Sequence, residues 1–437
     1  MVREEADGPA GIDRRRVLAS AVPAAALLLA GGIARARPAS ARPATARPAT
    51  ERLTPARSDE PRPATDGVLR LTPPTGPYPV GTTTLYLVDR SRPDPWEPIP
   101  VREVMVTVFY PARTVRGRPV APQLSAGAGQ AFVTAARLTH PQLPAAGVDW
   151  AATATHAYTN APARTERRPV LLYSPGGGDP RGMGTGVAEE LASRGYVVVC
   201  IDHSGDGAVI EFPVDMRGRE DRVRWTVFRF DPRTDPGMFR TMIDTRIADT
   251  RFVLDRLTVL ADGENPDPTG TPLPDGLHRA LDVRRVGVYG HSAGGTTAAE
   301  AMHEDRRIAA AVNLEGYLDH PSPEPGRDGE LYAIARDGTD RPLLLLGTDG
   351  FTDRRSLDRS WSALRARSRR PVPRRRIEAA AHHVFTDHAV FAPRLQAAGL
   401  MSAADRIALI GPIDPAVSVP TVRRYVHAFF ARHLPAH

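Results

Sequence analysis

The stretch Val286-Gly287-Val288-Tyr289-Gly290-His291-Ser292-Ala293-Gly294-Gly295 places a serine between glycines, directly after a short apolar run. The run is typical of a buried strand, and a helix rich in small residues is predicted to follow the serine. A Gly-x-Ser-x-Gly nucleophile elbow requires this context, because a sharp strand-to-helix turn lifts the serine hydroxyl above a sheet. A glycine-rich loop without chemistry is the alternative interpretation. The stretch predicts that Ser292 is a nucleophile.

The alternation of strand-like and helical segments along the chain predicts an α/β fold. Several runs are continuous in Val, Ile, Leu and Ala, as expected for parallel strands that are covered on both faces. The early runs favour a hairpin, so we expect a mostly parallel central sheet with antiparallel N-terminal strands and helices on both faces. The predicted strands are Thr83–Val88, Val104–Tyr110, Val170–Ser174, Val197–Ile201, Val286–Tyr289, Ile308–Leu314 and Leu343–Leu346, and the predicted helices cover 187–192, 242–260, 293–303 and 422–434.

The composition excludes several classes of protein. None of the 57 basic residues is Lys, which rules out Schiff-base enzymes, Walker-type phosphate lysines and Ser-x-x-Lys hydrolases. The net charge of +7 is small for 437 residues, and no nucleic-acid-binding motif accompanies it, so we expect no nucleic-acid partner. Cys200 is the single cysteine and lies in an apolar run, which predicts a buried core thiol.

The N-terminal residues indicate a targeting signal followed by a linker. Arg14-Arg15-Arg16-Val17-Leu18 precedes an Ala-rich apolar stretch, a pattern similar to a twin-arginine export signal. We therefore expect residues 1–41 to be a signal peptide read by the twin-arginine export machinery, and the protein to be secreted; a retained anchor is the alternative. Residues 42–66 are rich in Ala, Arg, Pro and Thr and predict a disordered linker. Residues 67–437 are expected to form one catalytic domain.

A nucleophilic serine needs a base, and the histidines near the C-terminal end supply two candidates. In this type of fold the acid and then the histidine follow the serine along the chain. His382 and His383 lie in a loop after the last predicted strand, and because adjacent side chains point apart, at most one of them faces the serine. A metal site formed by this pair with His388 is the alternative. No acidic ligand set recurs nearby, so we expect no metal and no cofactor.

Two carboxylates and one glycine loop are candidates for the remaining groups. Glu315 and Asp349 each follow a predicted strand end, and either position suits an acid that orients the base. The segment Ser174-Pro175-Gly176-Gly177-Gly178 follows an earlier strand, and its small residues let a carbonyl group approach the main chain closely. The N–H of Ala293, at the first position of the predicted helix, is a second donor for an oxyanion.

These segments together resemble the secreted, plasma-type platelet-activating factor acetylhydrolases and their bacterial branch, within the α/β-hydrolase superfamily. The resemblance covers most of the predicted domain and rests on the elbow together with residues 76–81, 87–90, 102–112, 174–178, 190–198, 382–387 and 429–434. It implies an α/β-hydrolase fold.

The resemblance also implies roles for individual residues. The family places its base three residues before a Phe, which selects His382 over His383. Its acid ends the strand after the nucleophile, where this chain has Leu314-Glu315; the family's Asp is replaced by Glu, which keeps Asp349 as the alternative. The glycine-loop donor of the family corresponds to Gly177.

The activity that follows is an exported serine esterase with Ser292, His382 and Glu315 as catalytic residues and with Gly177 and Ala293 as oxyanion donors. The family implies a small-molecule or lipid ester substrate, with short or oxidised acyl chains on glycerophospholipids. The alternatives are a general carboxylesterase, lipase or polyester hydrolase, an acyltransferase, and an inactive scaffold that acts as a binding module. The aromatic and Arg-containing segment 204–237 either covers the pocket, contacts a lipid surface or packs on the sheet as an ordinary insertion.

Overall fold

The computed structural model describes residues 68–219, 221–324 and 326–436. The predicted signal peptide at 1–41 and the predicted linker at 42–66 lie outside these ranges. The described residues belong to one compact unit. None of their helices combines the length and the hydropathy that a membrane span requires.

A ten-stranded sheet forms the centre of the described part of the chain. The strands are β1 (Val80–Asp89), β2 (Arg102–Pro111), β3 (Val120–Pro122), β4 (Ala154–Thr159), β5 (Arg168–Ser174), β6 (Val197–His203), β7 (Val209–Glu211), β8 (Val223–Trp225), β9 (Leu281–His291), β10 (Ile308–Leu314), β11 (Leu343–Thr348) and β12 (Arg374–Ile377). The order in the large sheet is β12-β11-β10-β9-β5-β6-β2-β1-β4-β3, and β7 pairs with β8 separately. Strands β5, β6 and β9 to β12 pair in parallel, whereas β2 is antiparallel to both β1 and β6. The predicted fold class is confirmed.

Helices cover both faces of this sheet. They are α1 (Ala126–Ala136), α2 (Thr185–Ser193), α3 (Pro236–Ala261), α4 (Leu277–Ala280), α5 (Ala293–Glu304), α6 (Ala333–Asp337), α7 (Arg354–Arg367), α8 (His388–Ala397), α9 (Ala403–Ile410) and α10 (Pro415–His433), with short 3-10 helices at Arg181–Gly184, Pro232–Thr234 and His382–Phe385.

The two faces have separate hydrophobic cores because successive side chains of a strand point to opposite sides. In β5, Val170 and Leu172 pack in the core that contains residues of α3, α5 and α7. Leu171 and Tyr173 pack in the opposite core with residues of α2 and α10. All seven residues of β5 and of β6 are buried, which explains why these strands appear as unbroken apolar runs in the sequence.

Each predicted strand and helix overlaps an observed one, and the main difference concerns α10. This helix begins at Pro415, seven residues before the predicted start at 422. Pro415 occupies the first turn, where a missing N–H costs no hydrogen bond, and the Asp414 carboxylate accepts from Ala416 N at 2.8 Å. Pro420 lies inside the same helix, so the two prolines conceal its beginning in the sequence. Cys200 is buried, as predicted.

The segment 204–237 contains the β7–β8 hairpin, and its four large aromatic residues divide into two pairs. Phe212 and Phe228 are each 1% exposed, whereas Trp225 and Phe230 are 38% and 50% exposed. Phe212 and Phe228 are therefore packed in hydrophobic clusters, as in an ordinary insertion, whereas Trp225 and Phe230 face solvent.

A fully buried charge network joins β2 to α3 and to the loop before β2. The Arg102 guanidinium donates to Asp249 Oδ2 and to Asp94 Oδ2, both at 2.7 Å. Asp249 also accepts from His203 Nδ1 at 3.1 Å, and the other nitrogen of His203 lies 2.9 Å from Ser174 Oγ at the end of β5. Burial alone would raise the pKa of Asp249, but the charge of Arg102 and the hydrogen bonds lower it well below its ordinary value. The network therefore fixes the end of β5.

We expect Arg102→Leu to lower the free energy of unfolding by about 3–5 kcal/mol, because it leaves the buried carboxylate of Asp249 without the guanidinium that binds both its oxygens. Asp94 would keep its two hydrogen bonds from Arg224. The matched control is Arg113→Leu, whose partner Asp275 and own side chain are 64% and 57% exposed, and which should change stability by about 1 kcal/mol or less. Urea denaturation followed by circular dichroism measures both. Equal effects of the two variants would contradict the role given to Arg102.

Candidate active site

Ser292 lies in a strained turn between β9 and α5. Its backbone has φ 55° and ψ −123°, a conformation that a non-glycine residue adopts only where the surroundings enforce it. Ser292 N donates to Leu314 O on the next strand at 2.9 Å. A Cβ atom at Gly290 would overlap the carbonyl group of Gly294, and one at Gly294 would overlap that of Ser174. The glycines therefore permit the close backbone approach on which the turn depends.

Glu315 and His382 are in direct contact. Glu315 follows β10, is fully buried and accepts from His382 Nδ1 at 2.9 Å through Oε2. Its other oxygen accepts from Thr348 N and, at 2.8 Å, from Thr348 Oγ1. The carboxylate is thus held at both oxygens, which fixes the orientation of the imidazole and leaves Nε2 of His382 as the proton-accepting nitrogen.

Asp349, the alternative acid, lies away from the imidazole. Its side chain accepts from Ala379 N at 3.0 Å and from Ala380 N at 3.2 Å. These bonds hold the turn that leads into the histidine loop. Of the two candidate acids, the structure brings Glu315 to His382 and places Asp349 in the supporting turn.

The two adjacent histidines face different neighbours. His382 keeps 23% of its side chain exposed and lines a cavity of about 320 Å³ together with Ser292 and Gly177. His383 lies at the edge of the same cavity, but its ring centroid is 4.5 Å from that of His140. Among the described residues, the potential metal ligands grouped with His383 are His140 and Asp179, so the His382–His383–His388 metal set considered from the sequence does not form.

Cavity size alone does not identify this site. A larger cavity of about 580 Å³ lies beside β1 and β2 and is lined by Thr82, Met105 and Phe109 among others, but by none of the predicted site residues. We assign the chemistry to the smaller cavity, because Ser292 and His382 both line it.

Gly177 and Ala293 lie next to each other and line the same cavity as Ser292. A Cβ atom placed on Gly177 would lie 3.8 Å from Cβ of Ala293, in ordinary contact. Ala293 is the first residue of α5, where a backbone N–H has no acceptor within the helix. Both predicted oxyanion donors therefore border the space in front of Ser292.

A buried ion pair, which sequence analysis did not predict, binds the backbone of the glycine loop. Arg246 on α3 is fully buried; it donates to Pro175 O at 2.5 Å, to Gly176 O at 3.0 Å and to Asp206 Oδ1 at 2.8 Å. Asp206 Oδ1 also accepts from Gly178 N at 3.3 Å. One feature of the sequence could have indicated this pair: Arg246 lies on the apolar face of a predicted helix, and a charge buried there needs a partner.

His291, the residue before the serine, supports the histidine loop. It is fully buried, and its Nε2–H donates to His382 O at 2.9 Å. The two rings are 4.5 Å apart at an angle of 44°. Burial lowers the pKa of His291 well below its ordinary value, and a charge on His382 lowers it further. His291 is therefore a neutral donor that positions the backbone of His382.

A second carboxylate–histidine contact lies on the other side of the glycine loop. Asp179 is 1% exposed, and its Oδ1 lies 2.7 Å from Nε2 of His140. Burial alone would raise the pKa of Asp179, but the charge and hydrogen bond of His140 bring it well below its ordinary value. Burial lowers the pKa of His383 well below 6.5 and that of His388 to about 4, so these two rings are neutral at pH 7.

Comparison with known proteins shows the family of the chain. Residues 65–437 match the family described as "Platelet-activating factor acetylhydrolase, isoform II". A "Probable 1-alkyl-2-acetylglycerophosphocholine esterase" of Arthroderma benhamiae is 28% identical over 82% of this chain and 86% of its own. The platelet-activating factor acetylhydrolase of Cavia porcellus is 22% identical over 63% of this chain and 60% of its own.

A solved structure extends the comparison to the fold. A ferulic acid esterase from Streptomyces cinnamoneus is 33% identical, with a TM-score of 0.64 over 84% of this chain and 94% of its own. The chain therefore belongs to the platelet-activating factor acetylhydrolase isoform II family and is a serine ester hydrolase of the α/β-hydrolase fold.

Proposed function

We propose that Ser292 is the nucleophile of this esterase, His382 its general base and Glu315 the acid that orients the base. Ser292 Oγ attacks the ester carbonyl while Nε2 of His382 takes its proton, and the same nitrogen then protonates the leaving alcohol. Water, activated by His382, releases the acyl group from Ser292 in the second half of the reaction. The N–H groups of Gly177 and Ala293 stabilise the negative oxygen in both halves.

The observation that carries this proposal is the 2.9 Å bond between Glu315 and His382 at the wall of the cavity that Ser292 also lines. A buried carboxylate on Nδ1 selects the imidazole tautomer that accepts a proton at Nε2. The strained serine turn is the second support, since strain of this kind concentrates at functional sites. An inactive binding scaffold would have no need of either feature.

Ser292→Ala should lower turnover of short-chain nitrophenyl esters by about 10⁴-fold or more. Glu315→Gln should lower it by several orders of magnitude, because an amide on Nδ1 favours the wrong tautomer. The matched control, Asp349→Asn, should retain turnover within about tenfold, since Asp349 bonds only to the backbone of the turn. An Asp349→Asn loss as large as that of Glu315→Gln would refute the choice of acid.

We propose that the substrates are glycerophospholipids with short or oxidised acyl chains. The family is named after platelet-activating factor acetylhydrolase, and the Arthroderma benhamiae relative is named a 1-alkyl-2-acetylglycerophosphocholine esterase. The cavity of about 320 Å³ is small for a ligand pocket, which suits a short acyl group. Arg233 at the cavity wall is the cation that we propose for the phosphodiester; its guanidinium lies 3.7 Å from the centroid of the Tyr317 ring and 3.5 Å from Asp319 Oδ1.

A neutral or aromatic ester is the second candidate substrate. The Streptomyces cinnamoneus neighbour is titled a ferulic acid esterase, and the cavity here is lined by three aromatic rings, those of Phe239, Tyr317 and Phe351. An acyltransferase would use the same acyl-enzyme with an alcohol as acceptor instead of water.

The ratio of kcat/KM values decides between the two substrate classes. We expect 1-alkyl-2-acetylglycerophosphocholine to be hydrolysed with a higher kcat/KM than methyl ferulate. Arg233→Gln should lower kcat/KM for the phospholipid by about tenfold and change kcat/KM for methyl ferulate by no more than about twofold. Higher kcat/KM for methyl ferulate would instead establish the second candidate.

We also propose that Trp225 and Phe230, which are exposed, contact a lipid surface.

We propose further that the protein is exported through the twin-arginine machinery, which is supported by Arg15-Arg16-Val17-Leu18 before the apolar stretch. A full-length chain carrying Arg15→Lys and Arg16→Lys should accumulate inside the producing cell while the unchanged chain reaches the medium. Export of the double variant at the normal level would speak against this route.

A further inference from the structure

Three potential metal ligands from separate parts of the chain meet beside the active-site cavity. His140 lies just after α1, Asp179 ends the glycine loop, and His383 follows the proposed base; one ligand atom of each lies within 4.8 Å of the others. We propose that these three side chains bind a zinc ion that ties the glycine loop to the histidine loop. The proposed roles of Ser292, His382 and Glu315 are not needed for it.

Buried atoms without a hydrogen-bond partner point into this cluster. Asp179 Oδ2 and His383 Nδ1 have no partner among the described residues, although Asp179 is 1% exposed. Neither ring nitrogen of His388, which is fully buried, has one either. A buried polar atom left without a partner destabilises the folded state. Several of them around one point indicate a group that supplies the missing interactions.

The spacing fits a zinc ion with small side-chain movements. Zinc lies about 2.0–2.2 Å from nitrogen and oxygen ligands, so tetrahedral ligand atoms are about 3.3–3.6 Å apart by that geometry. At present His140 Nε2 and Asp179 Oδ1 are 2.7 Å apart, and the three ligand atoms lie within 4.8 Å of one another. Zinc binding would move His140 Nε2 and Asp179 Oδ1 slightly apart and replace the hydrogen bond between them.

His388 lies beside the cluster but is not one of the three ligands. Its ring centroid lies 5.2 Å from that of His140 and 5.9 Å from that of His383. The cavity reaches both His140 and His383, which gives the ion an entry path. Because most ligands are imidazole nitrogens, zinc fits better than Ca²⁺ or Mg²⁺, which prefer oxygen.

The consequence of binding follows from what the ligands are attached to. Asp179 is two residues from Gly177, and His383 is bonded to His382 through the chain. A zinc ion would therefore fix the distance between the proposed oxyanion donor and the proposed base without contacting the substrate. Its role is to position these loops and to stabilise the fold.

The test uses the full chain without a histidine tag, treated with a chelator and then titrated with ZnCl₂ and with CoCl₂. We expect about one equivalent of zinc per chain by calorimetry, an increase in Tm on binding, and visible absorption of tetrahedral cobalt. Asp179→Asn and His383→Gln should each weaken zinc binding by at least about 100-fold. His278→Gln, outside the cluster, is the matched control and should bind as the unchanged chain does.

His382→Ala separates this proposal from the catalytic one, because it should abolish ester hydrolysis and leave zinc binding intact. Circular dichroism of each variant verifies that it is folded. The proposal is overturned if the unchanged chain binds no zinc at micromolar concentrations, or if folded Asp179→Asn and His383→Gln bind it as tightly as the His278→Gln control.

Discussion

The site depends on one backbone contact between the ends of β5 and β9 and the beginning of α5. A Cβ atom on Gly294 would lie 1.9 Å from the carbonyl oxygen of Ser174, and one on Gly290 would lie 2.1 Å from the carbonyl oxygen of Gly294 and 2.8 Å from that of Ser174. Only glycine at both positions lets the helix start this close to the strand. The contact places the serine and the glycine loop side by side, so the proposed nucleophile and oxyanion donors share one position in the fold before any polar interaction is considered.

Buried charges then hold the loop that this contact brings near. Arg246 binds two carbonyl groups of the loop and pairs with Asp206, while the Arg102–Asp249 network reaches Ser174 through His203. Charges this deep are expensive to desolvate and cost stability when one partner is removed. Their value here is geometric, because each fixes a carbonyl or hydroxyl group that leads directly into the glycine loop.

The sequence was sufficient for the parts of the site that lie within one segment. The serine turn, the strands around it and the glycine loop are local patterns, and each could be predicted from neighbouring residues alone. The choice between Glu315 and Asp349 could not, because both follow strand ends and only the direction of each side chain separates them. Arg246 and the His140–Asp179 pair were missed because their partners lie 70 and 39 positions away, beyond the reach of any local pattern.

The described non-glycine residues with positive φ are Asn160, Ser292, Glu315 and Ala379, and three of these four lie in the proposed active site or in the turn that leads into it. Ala379 leads into the histidine loop, and its N–H is held by Asp349 while its carbonyl oxygen accepts from Ile413 N at 2.9 Å. Each such conformation costs about 1–3 kcal/mol, and packing elsewhere must offset it. Asp349 thus has a physical role although it does not touch His382: it stabilises the strained turn that aims the imidazole at the cavity. Glu315 and Asp349 both follow strand ends and both affect His382: Glu315 binds the imidazole, and Asp349 binds the turn before the histidine loop. For this reason the two carboxylates look alike in the sequence.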